Sequence, residues 1–205
     1  LCEHYDIARL AWLDELIAER HPPVQHFGTA QVVPPAGAFL QATADGEAAL
    51  LAGVLRALEG CSQIADLFAG CGTFALPLAH QADVACYESE ASMLQALDRG
   101  WRKATGLKRV TCETRDLFRR PLLPDELARF DGVVIDPPRA GAVAQTAELG
   151  KSSVGQIAAV SCNPVTFAKD AQVLLSAGYR INWLEVVDQF RWSPHVELVA
   201  SFTKA

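Results

Sequence analysis

Cys162 lies in the string V-S-C-N-P, directly after the apolar residues 157–160 and before Asn163 and Pro164. The apolar run predicts a buried strand, and the Asn–Pro pair predicts that a helix begins where the strand ends. A thiol at this position opens into a crevice instead of packing in the core. We expect the helix N-terminus to lower the pKa of the thiol, which makes Cys162 a candidate nucleophile.

A carboxylate near the end of the chain offers a partner for this thiol. Glu197, in H-V-E-L-V, begins an apolar run that predicts a closing strand. A lone Glu at a strand start usually faces solvent, but beside a nucleophile it becomes a candidate general base. His195 is the alternative base, although a turn or packing role is more common for such a histidine.

Two glycines mark a candidate ligand loop in D-L-F-A-G-C-G-T-F, residues 66–74. Gly70 and Gly72 let the backbone turn tightly beside a ligand between a strand and a helix, as in doubly wound nucleotide-binding folds. Glu88 ends the next apolar run, where such folds hydrogen-bond ribose hydroxyls. A plain tight turn is the alternative for the loop, and the missing third glycine argues against NAD.

Asp136 ends another apolar run, in V-V-I-D-P-P-R. A carboxylate at the carboxyl end of a buried strand faces the ligand crevice of an open parallel sheet, and the two prolines fix the backbone that follows. The alternative is an Asp that caps a helix. Arg139 closes this string.

The elements that position these residues alternate between strand and helix. Strands are predicted at residues 64–68, 84–87, 110–113, 130–135 and 157–161, and helices at 43–58, near 73, and at 90–104, 142–149 and 166–177. Two closing strands, 179–187 and 196–202, predict a terminal antiparallel hairpin. The alternation predicts an α/β fold with a mostly parallel sheet and helices on both faces. Residues 7–13 and 24–33 indicate strands or a hairpin, although residues 8–20 also suit a helix.

Composition limits the class of protein. The chain has 205 residues, half of them hydrophobic, enough for one full core. A net charge of -6 argues against a stand-alone nucleic-acid binder. Six cysteines without a C-x-x-C pair indicate reduced thiols and no metal site, and no apolar run is long enough to span a membrane. We therefore expect a cytoplasmic protein.

Together these strings resemble the S-adenosylmethionine-dependent RNA uracil-C5 methyltransferases. The resemblance rests on F-L-Q (39–41), D-L-F-A-G-C-G-T-F, D-P-P-R-A-G, S-C-N-P and H-V-E, which occur in the family's order and at its spacing. The pair S-C-N-P and H-x-E is the most specific part. The resemblance implies a Rossmann-like class I methyltransferase fold with a seven-stranded sheet over residues 39–205. Residues 1–38 would then be a remnant of a connecting domain.

The resemblance also implies roles for single residues. Cys162 matches the family nucleophile and Glu197 its base. S-adenosylmethionine would be contacted by Gln41, Phe68, Thr73, Glu88 and Asp136, with Thr73 standing where many members have Asn. The partner would be RNA, with ribosomal RNA favoured over transfer RNA, bound by a protein monomer. The family's RNA-binding β-barrel and cysteine-cluster region have no match in these residues, so we expect RNA binding to depend on a domain outside them.

The substrate side is less specific. Arg139, Asn163, Arg191 and Trp192 are candidates for contacts with RNA, because arginine can hold phosphate and an indole can stack on a base. Surface packing is the alternative for Trp192. Two other functions stay open at this stage. One is methylation of an exocyclic amine, whose enzymes carry an Asp/Asn-Pro-Pro string followed by an aromatic residue. The other is a non-catalytic core that only binds the cofactor.

Overall fold

Two short hairpins precede the main body of the protein. The structure is a computed structural model that describes residues 1–12, 15–190 and 192–204. Strands β1 (Arg9–Trp12) and β2 (Glu15–Glu19) pair antiparallel, as do β3 (Gln25–Phe27) and β4 (Ala30–Val32). The predicted strands are therefore confirmed, and the helical alternative for residues 8–20 is wrong.

A seven-stranded sheet forms the centre of the fold. Its order is β10-β11-β9-β8-β5-β6-β7, in which β11 runs antiparallel to both β10 and β9 and the other neighbouring pairs are parallel. This confirms the mostly parallel sheet and the terminal antiparallel hairpin. The strands are β5 (Gln63–Leu67), β6 (Asp83–Glu88), β7 (Val110–Thr114), β8 (Gly132–Ile135), β9 (Gln156–Ser161), β10 (Tyr179–Val187) and β11 (Glu197–Lys204).

The helices follow the predicted alternation, with three differences. The second helix is a single turn that begins at Ala75 and not near Thr73. The last helix begins two residues early, because Asn163 caps it and Pro164 suits a first helical position. The short helix α4 was not predicted. The helices are α1 (Ala44–Ala57), α2 (Ala75–Leu78), α3 (Ala91–Lys103), α4 (Pro124–Leu127), α5 (Val143–Lys151) and α6 (Pro164–Ser176).

The sheet separates two apolar cores. Alternate residues of β5 point to opposite faces, so Ile64 lies in the core that includes Leu50 of α1, and Ala65 lies in the core that includes Leu174 of α6. Burying a leucine side chain fully stabilises the fold by about 1.5–3 kcal/mol. The prediction of helices on both faces is confirmed. No helix among the described residues is long and apolar enough to cross a lipid bilayer.

The β3–β4 hairpin packs on this body. Phe27, Ala30 and Val32 belong to the core that contains α1 and α3. A Cβ atom at Gly100 of α3 would come within 2.6 Å of Val32, which shows how closely the helix and the hairpin approach. Residues 25–32 are therefore packed as part of the sheet-containing unit, while a domain boundary near residue 38 stays a prediction.

Candidate active site

One cavity collects most of the predicted site residues. It has a volume of about 490 Å³ and lies where β5, β6, β7, β8 and β9 end and β11 begins. Open parallel sheets bind ligands at this edge. Nine of the predicted residues line it: Gln41, Phe68, Gly70, Thr73, Glu88, Asp136, Arg139, Cys162 and Glu197.

The loop after β5 forms one wall through unusual backbone angles. Phe68 has φ +66° and Gly70 has φ +52°, both in the left-handed region, which costs a phenylalanine about 1 kcal/mol or more. A Cβ atom at Gly70 would meet open space, so this glycine serves the turn. Gly72 does a different job. Its φ is +93°, and a Cβ there would come within 2.8 Å of Leu97, so it allows the loop to pack against α3.

Glu88 is held by hydrogen bonds to the neighbouring loops. One carboxylate oxygen accepts from the Gly70 amide at 3.1 Å. The other accepts from the Ser89 amide at 2.7 Å, from its hydroxyl at 2.9 Å and from the Glu90 amide at 3.0 Å. The acid at the end of β6 is therefore locked to the glycine loop before any ligand arrives.

Gln41 is fixed from the opposite direction. Its side-chain oxygen accepts a hydrogen bond from the Gln189 amide group at 2.9 Å, and Gln189 in turn accepts from the Thr43 amide at 3.2 Å. Gln189 is buried and lies against Gly46, where a Cβ atom would overlap it. The segment before α1 is thereby tied to the loop after β10, and this places Gln41 on the cavity wall.

The strand register brings the candidate nucleophile and base together. Strands β9 and β11 pair antiparallel with Ser161 opposite Leu198, so the register continues with Cys162 opposite Glu197. Directly opposed residues of an antiparallel pair project to the same side, with Cβ atoms about 4.5–5.5 Å apart. Glu197 is 2% exposed, so the expectation that a lone Glu here faces solvent does not hold.

Arg139 links the segments that carry these groups. Its guanidinium lies 3.2 Å from Nδ1 of His195, which must accept because arginine only donates. Its carbonyl accepts from the Asn163 side chain at 2.9 Å and from the Thr166 hydroxyl at 3.2 Å. Asn163 also accepts from the Val165 amide at 3.0 Å, so in this structure it caps α6 and braces Arg139.

The electrostatics of this corner are dominated by acids. Burial and then the nearby Glu197 raise the pKa of Asp136 to about 7. Burial also raises the pKa of Glu197, which Arg139 partly offsets. The pKa of Cys162 is raised by burial, Glu197 and Asp136 against the opposing charge of Arg139. The expectation of an acidified thiol is therefore wrong, because two carboxylates and desolvation outweigh the helix N-terminus.

One further acid lies behind the glycine loop. Asp66 is 1% exposed, and both of its carboxylate oxygens lack a hydrogen-bond partner among the described residues. Burial, and then the charge of Asp136, raise the pKa of Asp66 well above its usual value. The region thus holds three buried or half-buried acids, Asp66, Asp136 and Glu197, and the charge of Arg139 acts on Glu197.

One predicted substrate residue, Trp192, is absent from the described lining of the cavity. Trp192 is fully exposed and has φ +69°. Arg191 lies outside the described residues.

Sequence reasoning missed the wall that follows β7. Asp116 and Phe118 line the cavity, and the Phe118 ring lies 5.5 Å from that of Phe68. Phe39, Ser89 and Met93 also line it. The signal for Asp116 was available, because it follows a strand end as Glu88 and Asp136 do.

The cavity has two sides, named here for their strands. The β9 side comprises Asp136, Arg139, Cys162 and Glu197. The β7 side comprises Phe68, Gly70, Glu88, Asp116 and Phe118.

Comparisons with known proteins agree on one family. The model of the family described as tRNA (Uracil-5-)-methyltransferase matches residues 103–204. An uncharacterized RNA methyltransferase of Mesorhizobium japonicum is 53% identical over 197 residues, 96% of this chain and 48% of the relative. The 23S rRNA (uracil(1939)-C(5))-methyltransferase RlmD of Chromohalobacter salexigens is 37% identical over 171 residues, 82% of this chain and 35% of the relative.

A solved structure gives the same answer. The tRNA (uracil-54, C5)-methyltransferase of Pyrococcus abyssi, in complex with S-adenosyl-L-homocysteine, superposes with a TM-score of 0.78 and 27% identity over 92% of this chain and 46% of that one. The chain spans about half the length of the curated relatives it matches. By the matched family model, its relatives and its fold, the chain belongs to the S-adenosylmethionine-dependent RNA uracil-C5 methyltransferase family.

Proposed function

We propose that this chain is the catalytic unit of an RNA methyltransferase that transfers a methyl group from S-adenosylmethionine to C5 of a uridine in 23S ribosomal RNA. The observation that carries the proposal is that Cys162 and Glu197 line the same cavity as the glycine loop and Glu88. Methylation of an exocyclic amine needs no thiol nucleophile, so this pairing favours the uracil reaction.

The residues of the cavity suit this cofactor. Its volume of about 490 Å³ lies in the range of small-molecule sites. Asp136 lines the cavity and has a raised pKa, so a nearby positive charge would favour its ionised form, and the cofactor is cationic at its sulfonium and ammonium groups. When bound, S-adenosylmethionine would supply an electrophilic methyl group to C5, with cleavage of its sulfur–methyl bond, and would leave as S-adenosylhomocysteine. The residues that would hold it are Gln41, Phe68, Gly70, Thr73, Glu88 and Asp136, with Gly72 shaping the loop.

Cys162 would activate the uracil ring. Its thiolate sulfur forms a bond to C6, and the electron pair of the C5–C6 double bond moves into an enolate that makes C5 nucleophilic. The raised pKa of Cys162 favours the thiol form, so its proton must pass to solvent water before the sulfur attacks, and Arg139 is the charge that favours the thiolate. The positive charge of a bound cofactor would act in the same direction.

Glu197 would complete the reaction. Once C5 carries the new methyl group, its carboxylate removes the C5 proton. The electron pair of that C–H bond restores the C5–C6 double bond, and the S–C6 bond breaks to release the Cys162 thiolate. The raised pKa of Glu197 makes it a stronger base than an exposed carboxylate, and its place opposite Cys162 suits this step.

RNA would reach the β9 side with the target uracil outside any helical stack, because a thiol must approach the ring face. Trp192 carries an exposed indole and lies two residues after Phe190. The Phe190 ring packs edge-on to His195, and His195 contacts Arg139. We propose that Trp192 stacks on a base and that Arg139 and Arg191 contact the RNA, with Asn163 supporting Arg139.

The experiment is a map of 5-methyluridine in the RNA of a strain that lacks the gene for this protein. We expect the loss of 5-methyluridine at one position of 23S ribosomal RNA, restored by the wild-type gene and not by a Cys162→Ala gene. Loss of 5-methyluridine from a transfer RNA instead would show that the substrate is transfer RNA and not ribosomal RNA. Unchanged 5-methyluridine in both RNAs would contradict the proposal.

A further inference from the structure

Arg115 makes an unusually complete set of hydrogen bonds at the end of β7. Its Nη1 and Nη2 atoms donate to the two carboxylate oxygens of Glu126 at 2.6 and 2.8 Å. Its Nε donates to the Arg120 carbonyl at 2.7 Å, and Nη2 also donates to the Pro121 carbonyl at 2.9 Å. With a longer contact of 3.4 Å to Glu113, all five guanidinium donors are used.

The hydrogen bonds of Arg115 to Glu126, Arg120 and Pro121 enclose one loop, residues 116–121, and are named here the frame. The Arg115 side chain is 11% exposed, and Glu126 also accepts from the Leu123 amide at 2.9 Å, which caps α4. The Arg115 amide donates to the Glu88 carbonyl at 2.8 Å. Residues 116–121 therefore run between β7 and α4 with both ends of the loop attached to one guanidinium.

The framed loop contributes Asp116 and Phe118 to the β7 side of the cavity. Asp116 accepts from the amides of Phe118 at 2.9 Å and Arg119 at 3.2 Å, which holds the tight turn of the loop. Phe118 is 48% exposed, so burial alone does not fix its ring beside Phe68. The position of this wall relative to Glu88 depends on the frame.

We propose that Arg115 is a positioning residue that sets the affinity for the nucleoside part of S-adenosylmethionine by holding the loop 116–121 against the cavity, without acting in methyl transfer. This inference rests on the proposed function. It predicts a variant that weakens cofactor binding while the chemistry at the β9 side stays intact.

Lysine cannot replace this arginine. A lysine ammonium is a single charge with three donors, so it cannot bind both oxygens of Glu126 and also reach the carbonyls of Arg120 and Pro121. Arg115→Lys therefore keeps the charge and removes the frame. Glu126→Gln keeps the carbonyl contacts and removes the opposite charge, so its effect should be smaller.

The test is calorimetric binding of S-adenosylmethionine to the wild type, Arg115→Lys, Glu126→Gln and a control, Arg102→Lys. Arg102 forms an exposed ion pair with Asp98 at 2.7 Å on α3. Hydrogen bonds to charged groups contribute enough that we expect Arg115→Lys to raise the Kd by roughly ten- to a hundredfold and Glu126→Gln by about three- to tenfold. Because exposed pairs contribute little, Arg102→Lys should change the Kd by less than about twofold.

Kinetics separate positioning from a general loss of structure. On unmodified 23S ribosomal RNA, Arg115→Lys should raise the KM for S-adenosylmethionine and leave kcat at saturation unchanged. A lower kcat with unchanged KM, or wild-type Kd values in both Arg115→Lys and Glu126→Gln, would overturn the inference. If the wild type itself binds no S-adenosylmethionine, the proposed function fails with it. If Arg115→Lys does not fold, the Kd of Glu126→Gln decides.

Discussion

The two sides of the cavity differ in how their polar groups are satisfied. On the β7 side, Glu88 accepts four hydrogen bonds, and Arg115, which holds the loop of this side, uses every donor of its guanidinium. On the β9 side, burial raises the pKa values of Asp136, Glu197 and Cys162, and the charge of Arg139 opposes the shifts of Glu197 and Cys162. The β7 side is therefore preorganised for binding. The β9 side holds buried carboxyl groups with raised pKa values, and a cationic ligand would favour their charged forms.

The largest loss of turnover should come from replacing Glu197, the proposed base on the β9 side. Glu197→Gln removes the proton acceptor, and general base catalysis contributes about 10²–10⁴-fold, so turnover should fall by that factor. Addition of Cys162 comes before proton removal, so a covalent complex with unmodified RNA should accumulate. Denaturing gel electrophoresis of the variant with radiolabelled RNA measures both effects. Full turnover by Glu197→Gln would mean that another group, such as His195, is the base.

A change on the β7 side should affect binding instead. Glu88→Gln loses the charge and part of the hydrogen-bond set at the end of β6, so the Kd for S-adenosylmethionine should rise about tenfold or more. Calorimetry measures this, with the exposed Glu59→Gln as the matched control. An unchanged Kd in Glu88→Gln would show that Glu88 only stabilises the neighbouring loops and does not bind the cofactor.

The raised pKa of Asp136 on the β9 side also predicts that the stability of the fold depends on pH. The pKa of Asp136 is about 7 in the folded protein, above the ordinary value of 3.8 for an aspartate, so its contribution to stability is present at low pH and is lost as the pH rises from the lower value through the higher one. Relative to Asp136→Asn, the wild type should lose up to about 4 kcal/mol of unfolding free energy across this window, since one pKa unit corresponds to about 1.4 kcal/mol, with no further loss above it. Urea denaturation of both proteins at several pH values tests the sign. A wild type that gains stability relative to Asp136→Asn over this window would contradict the description of the β9 side.

The smallest change in affinity for S-adenosylmethionine should come from disrupting the ring pair of Phe68 and Phe118 on the β7 side. Phe118→Ala removes the ring that lies 5.5 Å from Phe68, and such pairs contribute about 0.5–1.5 kcal/mol, so the Kd for S-adenosylmethionine should rise about two- to tenfold. Phe118→Leu, which keeps an apolar side chain, should lie between this variant and the wild type. Calorimetry on the three proteins gives the order, and equal Kd values would place Phe118 outside the binding wall.

Sequence reasoning succeeded where a local pattern determines the structure. Alternating apolar runs predicted the sheet and the crevice residues at its strand ends, including Glu88 and Asp136. It failed where the answer depends on charges that are distant in sequence. Burial raises the pKa of Cys162 most, and Glu197 and Asp136, which the register of β9, β8 and β11 brings near, raise it further. The frame of Arg115 and Glu126 was missed because α4 is a single turn, too short to leave a periodic pattern.

The central claim is that Cys162 attacks C6 of a uracil. The direct measurement is the complex formed with S-adenosylmethionine and 23S ribosomal RNA that carries 5-fluorouridine at the target, where fluorine cannot leave C5 as a proton does. We predict a denaturation-stable adduct whose mass, after digestion, maps to the peptide that contains Cys162, and no adduct with Cys162→Ala, which should still bind S-adenosylmethionine. An adduct that persists in Cys162→Ala, or that maps to another cysteine, would contradict the account.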